Sequence, residues 1–458
     1  MHRVTTSTRD ARVARSRPGS PSVTVAAHVR VLYLHQFFMT REGSGGTRSY
    51  EFARRLVEAG HEVTMVTAGA GGRREIDGIR VVEARGGYGD YVRATGVGYG
   101  RRLLAFAHFA LSATLAAVRG PRPDVVFATS PPLTMALPAI VAARRWRSPL
   151  VFEVRDLWPE APIQMGALRS PRAQRLARWL ERIVYRAASE IVALSPGIRD
   201  GIVATGVDPE RIALIPNASD LDLFSPELDP GDLRATLGLA ADDFVCAYFG
   251  TMGEANDLTQ VVEAAALLDA GASARPAAPV RGAEAGATKA GGEPARADGE
   301  RRVTFVLQGD GKRRAALEVD VRRRGLDNVV FVPAGDKRAA ARLAAASDAC
   351  MTIFKDVPIL ATNSPNKLFD TFAAGRAAIV NTDGWQRMLV EEHEAGVFAR
   401  PGDARDLAEK VASLRDDPER TRRYGANARA LAEREFDRDL LAERLRGVLE
   451  RAAARKAA

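Results

Sequence analysis

Short apolar runs separated by amphipathic stretches recur along most of the chain. "VRVLYLHQ" (29–36), "HEVTMVTA" (61–68), "DVVFATS" (124–130), "PLVFEVRD" (149–156) and "EIVALS" (190–195) have the length and β-branched content of buried strands. Helical patterns such as "SYEFARRLVEAG" (49–60) fall between them. A second series runs through "FVCAYFGTMG" (244–253), "VTFVLQGDG" (303–311), "NVVFVPAG" (328–335), "ACMTIF" (349–354) and "AAIVNTDG" (377–384). Apolar strands alternating with helices predict parallel sheets covered on both faces. Turn-rich "RIALIPNASDLDLFSP" (211–226) joins the two series. The fold class is therefore α/β: two doubly wound, Rossmann-like domains facing across a cleft. The first covers 28–215 and the second 216–434. A C-terminal helix within 435–458 is expected to pack back on the first domain.

One stretch of the second series, "TNSPNKLFDTFAAGRAAIV" (362–380), reads as a loop, a capped helix and a strand. Ser364 suits an N-cap and Pro365 the first helical position. Leu368, Phe369, Phe372 and Ala373 share one helical face. Asn366, Lys367, Asp370 and Thr371 share the other, which presents an amide, a cation and a carboxylate. They lie beside a helix N-terminus, where free N–H groups favour anions.

The totals narrow the class. A chain of 458 residues is too long for one core, and 46% hydrophobic with 27% charged residues is ordinary for a soluble globular protein. Cys246 and Cys350 sit in strand-like runs and read as buried free thiols of a reducing compartment, and the six histidines have no metal-ligand spacing. The net charge is +9. Residues 1–27 carry five arginines against one acid and no apolar run. They read as a disordered basic tail and not as a signal peptide. The remaining excess suits an anionic small substrate or an anionic membrane as well as nucleic acid. "LLAFAHFALSATLAAV" (103–118) would reach only roughly 24 Å as a helix, short of a hydrocarbon core of about 30 Å. It reads as a buried helix or, bracketed by Arg101, Arg102 and Arg119, as one that docks on anionic headgroups. Residues 270–301, dominated by Ala, Gly, Pro and charge, read as a disordered insertion.

In doubly wound folds, ligands bind at the carboxyl ends of the strands. "EGSGGTRSY" follows the first strand, where Gly43, Gly45 and Gly46 let backbone approach a ligand and Thr47 can cap the next helix. Its spacing matches neither a dinucleotide fingerprint nor a P-loop. "FEVRDLWPEAP" brings Arg155 and Asp156 to a strand end. "FGTMGEAND" brings Gly250, Thr251 and Gly253, and "LQGDGKRR" a further Gly turn followed by cations.

Together "VLYLHQFF", "GSGGTRSYEFARRLVEAGHEVTMVT", "EVRDLWPE", "ALSPGI", "LIPNASDLDLF" and "NSPNKLFDTFAAGRAAIV" resemble the GT-B glycosyltransferases of group 1, or family 4. They are most similar to the WbuB-type enzymes of bacterial surface polysaccharide synthesis. The resemblance spans about residues 29–440. It implies transfer of a sugar from a nucleotide-sugar donor to a lipid-linked or saccharide acceptor. It also implies retention of anomeric configuration, no metal and no other cofactor, and a hexosyltransferase-type activity. The place would be the inner face of the cytoplasmic membrane, held peripherally. The family's Glu-x7-Glu pattern falls on Thr362 and Asp370, and the second position implies a ribose contact for Asp370. Its His-Asp becomes Arg155-Asp156. Its Arg and Lys after the first strand of the second domain are matched by Thr251 and Asn256. Lys367 and Arg155 are then the candidate cations for the leaving diphosphate, and Asp156 a sugar or acceptor contact. Gly45, Gly46, Gly250, Thr251, Ser364, Pro365, Asn366, Lys367 and Asp370 form the expected donor site.

Two other readings keep the fold: a non-catalytic nucleotide-sugar-binding partner of a transferase, motivated by the missing family residues, and a sugar-nucleotide epimerase. The epimerase would need carboxylates and a His converging on the sugar, which the sequence does not display. A nucleic-acid binder is motivated by charge alone, without a basic-aromatic pattern.

Overall fold

The computed structural model describes residues 28–43, 45–86, 99–271 and 301–457. The basic tail and residues 272–300 of the composition-biased insertion lie outside these. The first sheet has eight strands: β1 (Arg30–Leu34), β2 (Glu62–Gly69), β3 (Gly72–Ile76), β4 (Ile79–Arg85), β5 (Val125–Ser130), β6 (Leu150–Val154), β7 (Glu190–Ala193) and β8 (Ile212–Leu214). Their order is β3-β4-β2-β1-β5-β6-β7-β8, parallel throughout except for β3 against β4. The second sheet, β11-β10-β9-β12-β13-β14, is all parallel. It contains β9 (Phe244–Phe249), β10 (Val303–Gln308), β11 (Val329–Val332), β12 (Ala349–Thr352), β13 (Ala377–Val380) and β14 (Gly396–Phe398). The order reverses between β1 and β5 in one sheet and between β9 and β12 in the other, and such switch points open the crevices in which ligands bind.

The central strands are apolar because both faces are covered. Every residue of β5, β6, β9 and β10 is buried. The β3–β4 ribbon, polar and exposed along β3, gives no apolar run, and β8 and β14 are three residues each; the sequence pattern misses all four. The helix Tyr99–Arg119 departs from the reading of a buried helix. Phe109, Ala110, Ala113 and Ala117 pack inward, whereas Leu104, Leu111 and Leu115 face outward. No helix among the described residues is long and apolar enough to cross a membrane.

The chain passes between the domains twice. Residues 215–224 lead outward, and 436–438 lead back alongside them. Ser219 N–H donates to the Phe436 carbonyl at 3.0 Å, and Arg438 N–H to the Ser219 carbonyl at 3.0 Å. The last helix, Arg438–Ala457, then lays Leu441, Leu445, Val448, Leu449 and Ala452 into the core of the first domain. Phe354, Ile359 and Leu360 of the second domain join that same core, so the two lobes share apolar contact beside the cleft.

Candidate active site

The site is assembled from strand ends that face one another. On the first domain, His35 follows β1 and Arg155 follows β6. Arg155 Nη1 lies 3.3 Å from His35 Nε2, and His35 Nδ1 lies 2.8 Å from Ser49 Oγ. A guanidinium only donates, so Nε2 accepts and the ring proton sits on Nδ1, directed at Ser49. Burial, reinforced by the Arg155 charge, pushes the His35 pKa well below its ordinary value. The ring is a neutral strut that orients Arg155. Gly46 marks the meeting point: a Cβ there would lie 3.4 Å from Arg155 Nη2 and 3.6 Å from Asn366 Nδ2, ordinary contact distances to one side chain of each domain. Two strand-end loops of the first domain and the Asn366–Ala373 helix of the second therefore converge within side-chain reach of one point. Gly45 packs against Met39 in the same loop. Asp156, half-buried, has its carboxyl pushed up by burial, against the opposing pull of Arg155.

Beneath this loop lies an ion pair that leaves no mark in the sequence pattern. Arg48 and Glu153 are fully buried, 2.8 Å apart; Thr129 donates to Glu153 at 2.9 Å, and Arg48 reaches the Ile215 carbonyl at 2.9 Å. The pair ties the first helix, Arg48–Glu58, to β6 and to the outgoing crossover. Thr47 precedes that helix but makes no side-chain cap bond, contrary to its expected role.

On the second domain, the helix begins at Asn366 with Pro365 at the N-cap, one residue later than expected. Ser364 is not the cap. Its hydroxyl accepts from Asn217 N–H at 3.0 Å and so pins the helix to the crossover. Lys367 lies on the first turn, where its Nζ donates to Tyr248 Oη at 2.8 Å and sits 4.2 Å from that ring's centre. Tyr248 Oη in turn donates to the Thr251 carbonyl at 2.7 Å, which leaves its lone pairs for Lys367. Gly250, at φ +140°, leaves room for the Lys367 stem, since a Cβ there would be 3.3 Å from Cε. Burial alone lowers the Lys367 pKa to about 7. No carboxylate pairs with it among the described residues. A cation at the positive end of a helix, desolvated and without a counter-ion, is an anion site in waiting.

Asp370 and Thr371 do not form an exposed polar face. Both are buried. Asp370 Oδ1 accepts from Ser219 at 2.9 Å and Oδ2 pairs with Lys337 Nζ at 2.6 Å. Buried and engaged through both oxygens, the carboxylate locks the helix to the crossover and to Lys337. Of the residues at the family's cation positions, Asn256 is buried and donates to the Ile353 carbonyl at 3.2 Å, while Thr251 is exposed. Beside them a pocket of about 190 Å³ is lined by Gly253, Asn256, Asp257, Leu258, Arg313 and Lys355 with their neighbours, and so brings two further cations to the strand ends. A larger pocket of about 360 Å³ opens near the crossover, between Arg41, Tyr50, Arg54 and Asp222. Three of its lining groups are engaged within the protein: Arg41 with Glu51, Arg54 with Glu58, and Tyr50 with Asp77.

Fold, cleft and residue pattern together match known domains. Residues 43–218 match the Glycosyl transferase 4-like domain and residues 293–417 the Glycosyl transferases group 1 domain. The chain thus carries the two domains of a GT-B glycosyltransferase. It is 24% identical over 295 residues to the putative colanic acid biosynthesis glycosyl transferase WcaI of Escherichia coli K12. That match covers 63% of this chain and 65% of the relative, just under two thirds of its length. Sucrose-phosphate synthase from Thermosynechococcus elongatus superposes with a TM-score of 0.70 at 18% identity, covering 93% of this chain and all of that one. HepE from Anabaena, in complex with UDP-glucose, does so with a TM-score of 0.66 at 18% identity and the same coverage.

Proposed function

We propose that this protein transfers a sugar from a nucleotide-sugar donor to a lipid-linked or saccharide acceptor during surface polysaccharide synthesis (O-antigen, capsule or exopolysaccharide), with retention and without a metal. The observation that carries this is the uncompensated Lys367 on the first turn of the Asn366–Ala373 helix, whose neighbour Asn366 meets Arg155 of the first domain around Gly46. A departing nucleoside diphosphate gains negative charge as the glycosidic bond breaks. Fixed cations and helix N–H groups already in place stabilise that charge without reorganisation. Lys367 and the helix N-terminus receive the diphosphate, Gly46 and Gly250 admit it closely, and Arg155, oriented by His35, approaches from the acceptor side. Asp156 contacts the sugar or acceptor. The likeness to WcaI supports the polysaccharide setting, and the UDP-glucose bound to HepE supports a nucleotide-sugar donor. Membrane contact is peripheral, at the inner face of the cytoplasmic membrane.

The test is a thermal-shift and calorimetric screen of UDP-, GDP- and ADP-sugars, followed by transfer and donor-hydrolysis assays with the best binder. A binder that is turned over by wild type, and roughly tenfold or more less efficiently by Lys367→Ala, supports the reading. Donor binding with neither hydrolysis nor transfer would favour the non-catalytic partner, the reading suggested by Asn256 and Thr251 at the family's cation positions and by the engaged oxygens of Asp370.

A further inference from the structure

Three helices of the first domain, Tyr99–Arg119, Ala136–Trp146 and Pro171–Ala187, pack side by side as one layer. The strand order reverses between β1 and β5, so right-handed crossovers place this layer on the sheet face opposite the Arg48–Glu58 helix. The C-terminal helix lies beside Arg48–Glu58, on that other face. Nine large apolar side chains are exposed among the described residues, and six of them are on this layer: Leu104, Leu111, Leu115, Leu137, Leu176 and Trp179. Leu104 is 70% exposed, Leu176 63% and Trp179 53%. On the Pro171–Ala187 helix, positions 172, 175, 176, 179, 182 and 186 are all exposed and recur at helical spacing along one face. That face reads Arg, Arg, Leu, Trp, Arg, Arg. Arg172, Arg175 and Arg186 have no ion pair among the described residues; Arg178, beside them, is paired with Glu160. The helix's one acid, Glu181, is turned inward and buried.

From this we infer that the three-helix layer is a docking face for an anionic lipid bilayer, with Trp179 and Leu176 entering the headgroup boundary and the arginines contacting lipid phosphates. Charge complementarity selects the occupant. A second copy of the face would bring arginine against arginine, whereas an anionic surface matches unpaired guanidiniums that flank an apolar centre along the Pro171–Ala187 helix. Trp is also the side chain best suited to the interface, apolar along its body and polar at its N–H. The helix follows the loop that carries Arg155, so docking sets the mouth of the cleft beside the bilayer. The inference deepens the membrane-acceptor reading and rests on it for its purpose.

The experiment is co-sedimentation of the full chain with phosphatidylcholine vesicles and with vesicles in which anionic phosphatidylglycerol replaces part of the phosphatidylcholine. Trp fluorescence is read in parallel with brominated lipid as quencher. Wild type should sediment with anionic vesicles only and be quenched, and Trp179→Phe should remove the quenching. Arg172→Glu/Arg175→Glu and Leu176→Ser/Trp179→Ser should each weaken vesicle binding by roughly tenfold or more, with unchanged unfolding midpoints. Absence of binding, equal binding to neutral vesicles, binding unaffected by these variants, or a dimer in solution dissolved by Leu176→Ser/Trp179→Ser would each overturn it. Transfer to a detergent-solubilised acceptor reports on the proposed activity separately, and its persistence without vesicle binding would sink only the docking face.

Discussion

At the scale of single residues, Lys367 concentrates the chemistry. Its ammonium is held by Tyr248 and desolvated, so its charge is at risk near neutrality. With a folded pKa of about 7 against 10.5 unfolded, the free protein binds fewer protons than the unfolded chain between those values. Lys367 therefore makes stability rise with pH across that window. Donor binding has the opposite sign: the diphosphate attracts the charged form, so affinity falls as pH rises above about 7. Calorimetric donor affinity from pH 6 to 9 should show this fall in wild type and not in Lys367→Arg, whose charge persists. Lys367→Ala should lower kcat/KM by roughly tenfold to a thousandfold, mostly in kcat, and Lys367→Arg should recover part, as steady-state kinetics will read. The candidate site was partly legible at this scale. Glycines and cations after strands announce a ligand edge, which makes Gly46 and Arg155 candidates, and the polar first turn of a helix makes Lys367 one. Partners distant in sequence leave no such mark. His35 is 120 positions from Arg155, and Tyr248 is 119 from Lys367; only the folded sheets and the helix packed on them bring them together.

At the scale of elements, buried charge is used for fastening. The amphipathic pattern of the Asn366–Ala373 helix places its apolar face correctly, but it assigns the polar face to solvent. Periodicity cannot register that a crossover from residue 219 and a lysine at 337 cover that face. Removing one partner of such a pair leaves the other desolvated and unpaired. Asp370→Ala should cost about 3–5 kcal/mol in urea unfolding, with or without nucleotide. The same holds for Glu153→Ala, which strands Arg48 between Phe52 and the crossover carbonyls, and a similar loss is expected. Replacing both charges at once, as in Arg48→Met/Glu153→Leu, should cost far less than the sum of the single changes, and a double-mutant cycle measures that coupling.

At the scale of the molecule, the two crossovers form the joint between lobes, and Asp220 sits at its centre. It faces Arg438 at 3.2 Å, Arg55 at 3.0 Å and Arg41 at 3.5 Å. Burial pushes its carboxyl up, yet Arg438, Arg55 and Arg41 together outweigh burial and hold it below the ordinary 3.8. Its stabilising contribution is thus complete above pH 3.8 and is lost as pH falls through the lower folded value. Asp220→Asn should remove that contribution at all pH values, so its stability should lie below that of wild type at pH 7 and approach it in acid, by denaturant titration. The two-domain plan was the most legible feature of all, because parallel strands buried on both faces write themselves as apolar blocks. The β3–β4 ribbon stayed invisible for the converse reason: an exposed edge has no need of such a block.

The route of the final helix bears on how the protein is made. A ribosome releases residues 28–215 long before 438–457, yet Leu441, Leu445, Val448 and Leu449 complete the earlier domain's interior. During synthesis the first domain waits with an apolar groove open while more than two hundred further residues emerge, a condition that favours chaperone capture and aggregation. Order of manufacture and order of completion are reversed: the lobe begun first is finished last. A chain truncated after residue 437 should therefore collect in inclusion bodies. A synthetic 438–457 peptide supplied during refolding should restore solubility, and one with Leu441 and Leu445 changed to Ser should not.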